Sequence, residues 1–200
     1  TRCLSDWSSD VCSSDLMGDE ICRSQAGSNN GYSLPLEKSA QRLDTAETFM
    51  GGWANTWELN ELQKDMRDSV AELTRIRKTY LADVAAEFFT GQLDLGTQRK
   101  DIAWFSLGGH EMTEEHWADG EKRSLTVQIE AGPDRGLLLL LNSSREETPF
   151  TLPDEKWGTS FRRIFDAASP VETHEPIIQL PGSKVNLSSH CAQVWLVTRS

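Results

Sequence analysis

Leu137-Leu138-Leu139-Leu140-Leu141, closed by Asn142, is the longest apolar run in the chain. It is far short of the roughly twenty apolar residues that cross a bilayer. A short apolar run bounded by a polar residue reads as a buried strand. Comparable short segments surround it. Ile102 to Ser106, Leu125 to Ala131, Thr148 to Leu152, Phe161 to Asp166, Pro176 to Leu180, Lys184 to Leu187 and Ala192 to Thr198 are the other strand candidates. Gly108-Gly109, Gly132-Pro133, Pro153-Asp154 and Pro181-Gly182 break the chain between them. Short strands at this spacing, separated by Gly and Pro turns, predict an antiparallel β-sandwich.

Upstream of Gly91 the texture changes. Leu62, Met66, Val70, Leu73, Ile76 and Tyr80 recur at three- and four-residue steps, with Lys64, Asp68, Glu72 and Lys78 on other faces. This periodicity predicts a helix from about Glu58 to Leu81. Ala82 to Phe89 either extends it or forms a second short helix, and Thr90-Gly91 ends it. Met17 to Leu43 is rich in Gly, Ser, Asn and Pro and reads as a long loop, a kind of segment that is usually functional or disordered. The expected organisation is therefore residues 1–16, 17–90 and 91–200, with no internal repeat.

Residues 1–16 stand apart. The string Asp6-Trp7-Ser8-Ser9-Asp10-Val11-Cys12-Ser13-Ser14-Asp15-Leu16 has no helical or strand period. It resembles a translated sequencing-library adapter, its end corresponding to GTG TGC TCT TCC GAT CT, and is expected to be a non-native leader. The alternative is a natural, disordered Ser-rich leader. Setting it aside removes Cys3 and Cys12 and leaves Cys22 and Cys191, far apart in sequence. Two lone cysteines suggest reduced thiols and a cytoplasmic setting, not a disulfide scaffold.

The net charge of −11 disfavours nucleic-acid phosphates and anionic membrane surfaces as partners and leaves a neutral polymer compatible. Gly-rich nucleotide loops are absent. His110-Glu111 and His116 lie six apart, about 240° around a helix, which does not match two zinc ligands four apart on one face. His174 and His190 read as solvated surface residues. No metal or cofactor is expected. Trp104, Trp117, Trp157 and Trp195 suit sugar stacking, but strand tryptophans more often pack in a core or at an edge.

Three stretches carry a family resemblance. Gly18-Asp19-Glu20-Ile21-Cys22-Arg23-Ser24-Gln25-Ala26-Gly27-Ser28-Asn29-Asn30-Gly31-Tyr32 is similar to the G-D-E-x-x-R-[ST]-x-x-G-x-N-N-x-[YF] loop of the isoamylase and glycogen-debranching branch of the α-amylase family. Lys100-Asp101-Ile102-Ala103-Trp104-Phe105, with Gly109-His110-Glu111-Met112-Thr113 and Trp117, resembles the segment opening that family's C-terminal region. Leu138 to Asn142, with Phe150-Thr151-Leu152-Pro153 and Trp157, is similar to its L-L-L-N and F-x-L-P strands. One departure is Ser33-Leu34-Pro35-Leu36-Glu37, where many relatives carry Q-D-N-E and a Trp motif.

The resemblance implies the C-terminal end of a (β/α)8 barrel over 17–90, followed by a β-sandwich over 91–200. Residues 19–43 then lie on the barrel face where such enzymes build active sites. Asp19, Glu20, Arg23, Asn29, Asn30 and Tyr32 become candidate substrate contacts, toward glycogen or a branched maltooligosaccharide. Their plainer reading stands beside this one. Asp19 or Glu20 orders the loop through local hydrogen bonds or Arg23, and Gly-Ser-Asn-Asn-Gly is ordinary turn chemistry. Retaining glycosidases need two carboxyl groups across one bond, and the adjacent Asp19 and Glu20 on an extended chain point apart. By the resemblance the catalytic carboxylates lie upstream, so no residue here is a catalytic candidate. The implied parent hydrolyses α-1,6-glucosidic branches in glycogen catabolism. The alternative is a non-catalytic β-sandwich that binds glucan or supports a barrel. A long read of the native DNA across the Leu16–Met17 junction is expected to show barrel-coding sequence in place of the adapter string. Finding residues 1–16 encoded there would overturn the non-native leader.

Overall fold

The computed structural model describes residues 19–21, 59–82, 84, 88–169 and 176–199. The chain divides into two compact units, Thr1–Ala71 and Glu72–Ser200. In the first, the described elements are a 3₁₀ turn, Asp19–Ile21, and the opening half of helix α1, Glu61–Tyr80. The second half of α1 belongs to the second unit.

Asn60 sets where α1 begins. Its side-chain oxygen accepts from the Gln63 N–H at 2.9 Å, and the Gln63 side chain accepts from the Asn60 N–H at 3.0 Å. This reciprocal capping satisfies two donors that would otherwise be orphaned, and it starts the helix three residues after the expected Glu58. Arg77 and Lys78 in the last turn suit the negative end of the helix dipole. Ile76 is buried with Leu137, Ile164, Phe165 and Val194, and Tyr80 and Leu81 pack at the margin. Leu62, Met66, Val70 and Leu73, earlier on the same stripe, are exposed.

All eight expected strands form, each end within two residues of its expected place. They are β1 (Ile102–Phe105), β2 (Ser124–Glu130), β3 (Arg135–Asn142), β4 (Thr148–Thr151), β5 (Ser160–Asp166), β6 (Ile178–Gln179), β7 (Lys184–Leu187) and β8 (Cys191–Thr198). Every pairing is antiparallel. Six strands make one sheet in the order β1-β2-β3-β8-β5-β6, and β4 pairs with β7 in a second, smaller sheet. The last strand, β8, enters the middle of the large sheet, between β3 and β5.

The leucine run lies at the centre of β3. Leu138 and Leu140 are fully buried in the cluster that also holds Phe150 and Leu152, Leu187 of β7, and Trp195 and Val197 of β8. Leu137 and Leu139 belong to the opposite face, which α1 covers through Ile76. A strand covered on both sides cannot alternate apolar with polar, which is why this stretch is continuous leucine. Burying each such side chain contributes about 2 kcal/mol.

β5 solves a related problem with a bulge. Phe161 pairs with Val197 and Arg163 with Trp195, but Phe165 then pairs with Val194. The extra residue, Ile164, shifts the two-residue period, so Ile164 and Phe165 both join the α1 side while Phe161 stays in the other cluster.

Asn142 ties the sheets together. It is 3% exposed. Its amide nitrogen faces the carbonyls of Glu146, Leu187 and Ser188 at 2.9–3.1 Å. Its amide oxygen accepts from Ser124 Oγ at 2.9 Å and from the Ser144 N–H at 3.1 Å. The ends of β2, β3 and β7 thus meet at one side chain. Asn142→Ala is expected to cost about 2–3 kcal/mol, because it leaves buried carbonyls without a donor. Asn142→Asp is expected to cost at least as much, since it sets a carboxylate against those carbonyls. Urea unfolding checks both. A midpoint unchanged from wild type would remove the hub role.

Candidate functional site

The segment from Asp101 to Trp117 builds the most distinctive surface of the second unit. Asp101 anchors its start. The carboxylate accepts from the N–H groups of Thr90 at 2.6 Å, Gly91 at 2.7 Å and Ile102 at 2.8 Å. Burial pushes this carboxyl up, but the converging N–H donors of Thr90, Gly91 and Ile102 and the Thr90 hydroxyl outweigh it and hold it below the usual carboxylate range. Asp101 therefore fastens the chain entering the sheet to the first residue of β1.

Beyond β1 the chain turns back on itself. The Ser106 N–H donates to the His110 carbonyl at 2.9 Å, and the Met112 N–H to the Trp104 carbonyl at 2.8 Å. Gly109 makes the turn with φ of +78°, and a Cβ there would lie 2.9 Å from the Thr151 carbonyl oxygen. Thr113 then caps α2, Glu114–Ala118. Its hydroxyl accepts from the His116 N–H, and the His116 Nδ1 accepts from the Thr113 N–H at 3.1 Å. His116 thus has a local structural role in the cap. His190 is exposed, and His174 lies outside the described residues.

α2 carries Trp117 to Trp104 of β1. Their rings meet edge to face at 5.7 Å and 74°. Trp104 is 37% exposed and Trp117 55%. Trp157 and Trp195 are buried, as expected of packing tryptophans. The sequence holds a sign of the difference. Phe105 is fully buried with Ala103 and Trp157, so alternation along β1 turns Trp104 to the opposite face.

A cleft of about 390 Å³ opens beside this pair. Leu125 and Leu141, directly paired across β2 and β3, lie along it with Met112 and Trp117. Asp119, Arg123 and Ser143 supply polar groups. The Ser143 hydroxyl donates to the Arg123 carbonyl at 2.7 Å. Asp119 accepts from the Glu121 N–H at 3.0 Å. That donor is the main reason its carboxyl lies below the usual range, with Lys122 adding to it.

Of the residues singled out by sequence, Asp19 and Glu20 lie in the 3₁₀ turn whose third residue, Ile21, is buried. The backbone there is helical and not extended, which corrects the basis on which the two were judged to diverge. Arg23, Asn29, Asn30, Tyr32 and Cys22 lie outside the described residues. Cys191 is a buried free thiol, and burial followed by the nearby Asp166 charge pushes its pKa up. Among the described residues no group of three His, Cys, Asp or Glu is placed to hold a metal ion. No described helix is long and apolar enough to cross a membrane.

A depressed carboxyl pKa stabilises the fold above the unfolded value, and the stabilisation is lost as pH falls through the folded value. Asp101→Asn is therefore expected to cost about 1–2 kcal/mol at neutral pH. The gap between variant and wild type should begin to narrow as pH falls below about 4, the unfolded value, and close only below the depressed folded value of Asp101. Thermal unfolding across pH checks this, and a gap independent of pH would contradict it.

Comparison with known proteins places these features. A "Glycogen operon protein GlgX homolog" of Mycobacterium tuberculosis is 28% identical over 167 residues, covering 77% of this chain and 21% of the relative. An isoamylase of Flavobacterium sp is 24% identical over 188 residues, 92% of this chain and 22% of the relative. A glycogen debranching enzyme of Pectobacterium atrosepticum is 27% identical over 157 residues, 78% of this chain and 20% of the relative. The chain thus spans about a fifth of the length of these relatives. Residues 101–200, from the Asp101 anchor through β8, match the family described as "Isoamylase, C-terminal", and the chain belongs to that family.

Proposed function

We propose that the chain is the C-terminal part of a cytoplasmic glycogen-debranching glycoside hydrolase acting on α-1,6-glucosidic branch linkages. The family match over 101–200 carries this reading. On it, residues 17–90 are the end of a (β/α)8 barrel and 91–200 the β-sandwich that supports it. The exposed stripe of α1 supports the presence of a neighbouring barrel, although the compact units divide within α1, at Ala71/Glu72. Its second half packs on the large sheet through Ile76, while Leu62, Met66, Val70 and Leu73 present an apolar stripe suited to a barrel wall.

The chemistry needs one carboxylate as nucleophile and one as acid/base, about 5–5.5 Å apart in a retaining enzyme. Both belong to the upstream barrel strands. On this reading Asp19, Glu20, Arg23, Asn29, Asn30 and Tyr32 would belong to the loop on the barrel's C-terminal face, their amides and guanidinium suited to sugar hydroxyls and Tyr32 to a sugar face. The bound polymer is glycogen or a branched maltooligosaccharide.

The chain alone is expected to release no reducing ends from glycogen. Residues 17–200 joined to the upstream four-fifths of the Mycobacterium tuberculosis relative are expected to restore hydrolysis of α-1,6 branches, read as linear maltooligosaccharides. Cleavage of α-1,4 bonds instead, or hydrolysis by the chain alone, would overturn the proposal.

A further inference from the structure

The lining of the cleft beside Trp104 and Trp117 selects a class of ligand. We infer that it binds a neutral oligosaccharide. The choice of an α-1,4-glucan segment as that ligand rests on the glucan-processing reading above.

Trp117 is the anchor. It stays 55% exposed, yet it is positioned from two sides: by the capped helix α2 and by the edge-to-face contact with Trp104 at 5.7 Å. The electron-rich face of an indole suits the polarised C–H surface of a pyranose ring. Leu125 and Leu141 extend the apolar side of the cleft, while Asp119, Arg123 and Ser143 bring acceptors and donors to its edge. Sugars divide in the same way, with apolar ring faces and hydroxyl-bearing edges. The volume of about 390 Å³ lies in the range of small-ligand sites.

The charges favour a neutral ligand over an anion. Lys122 Nζ lies 3.5 Å from Asp119 Oδ2, and Arg123 Nη2 lies 3.5 Å from Glu121 Oε2. Arg123 Nη1 also donates to the Gly120 and Lys122 carbonyls at 2.9 and 3.1 Å. Both cations are already matched, so a phosphate or sulfate gains little there. The chain's net charge of −11 opposes an anion further.

The shape favours a chain over a single ring. A second hollow of about 470 Å³ shares His116, Asp119, Lys122 and Arg123 with the first and continues past Ser106 and Gly108. The two hollows lie side by side against a common wall. The cleft's edge is tied to backbone, through Asp119 to the Glu121 N–H and Ser143 to the Arg123 carbonyl. Groups held in place beforehand lose little freedom on binding.

Titration calorimetry of the full chain with maltoheptaose tests the assignment. Saturable binding is expected without release of reducing ends. Trp117→Ala should weaken it by about tenfold or more, while Trp117→Phe, which keeps a ring face, should retain most of it. Phe88→Ala, at a fully exposed position elsewhere, should leave it unchanged. Equal thermal midpoints for all four proteins confirm that folding is not what changes. Absence of binding, or binding indifferent to Trp117→Ala, overturns the inference. Trp117-dependent self-association without maltoheptaose binding also overturns it and makes the cleft a protein-docking surface. Binding by the chain together with a chimera that fails to debranch would leave the cleft assignment standing and remove the hydrolase reading; the reverse pair would do the opposite.

Discussion

The second unit depends on β3 being covered on both faces. Leu138 and Leu140 meet the small β4–β7 sheet and β8 on one side, and Leu137 and Leu139 meet the cluster under α1 on the other. A strand with two dry faces is a strict condition. It demands an unbroken apolar run, a helix on one side and a sheet on the other. The bulge in β5 and the central insertion of β8 both serve it. The bulge turns Phe165 toward the helix side, and β8 supplies Val194 to one face and Trp195 and Val197 to the other. The end of the chain is thus built into the centre of the sheet.

Burying that much backbone requires polar groups to be satisfied where strands end. Asn142 does so for β2, β3 and β7, and Asp101 for the approach to β1. At the far edge Arg199 donates to both oxygens of Glu130 and to the Trp157 carbonyl, which closes the chain after β8. Arg199 is itself mostly buried, so removing either partner of that pair would strand a charge. These contacts link distant parts of the sequence.

Function follows from which surfaces remain uncovered. The large sheet uses its centre to hold α1 and leaves Trp104 of β1 exposed with Trp117 of α2 against it. α1 itself is divided, its later residues in the sheet's core and its earlier stripe exposed. On the proposed reading, a domain that braces a barrel helix and binds a neutral sugar chain would hold polymer near the enzyme it supports. The two proposed roles draw on the same sheet face, through residues that do not overlap.

The eight strands, the helix and the antiparallel class were legible in the sequence, because local period and Gly–Pro punctuation are set by neighbours along the chain. The start of α1 was misplaced by three residues because Asn60 and Gln63 cap each other, a pairing that outweighs the apolar period. The exposure of Trp104 and Trp117 was not legible from residue type, which favours burial. It was decided by strand alternation about Phe105 and by where α2 lands, through the Thr113–His116 cap. The sequence by itself determined which segments become strands and that β3 is buried. Only the tertiary structure decided which face each side chain joins, because facing depends on register, on one inserted residue in β5, and on contacts far apart in the chain.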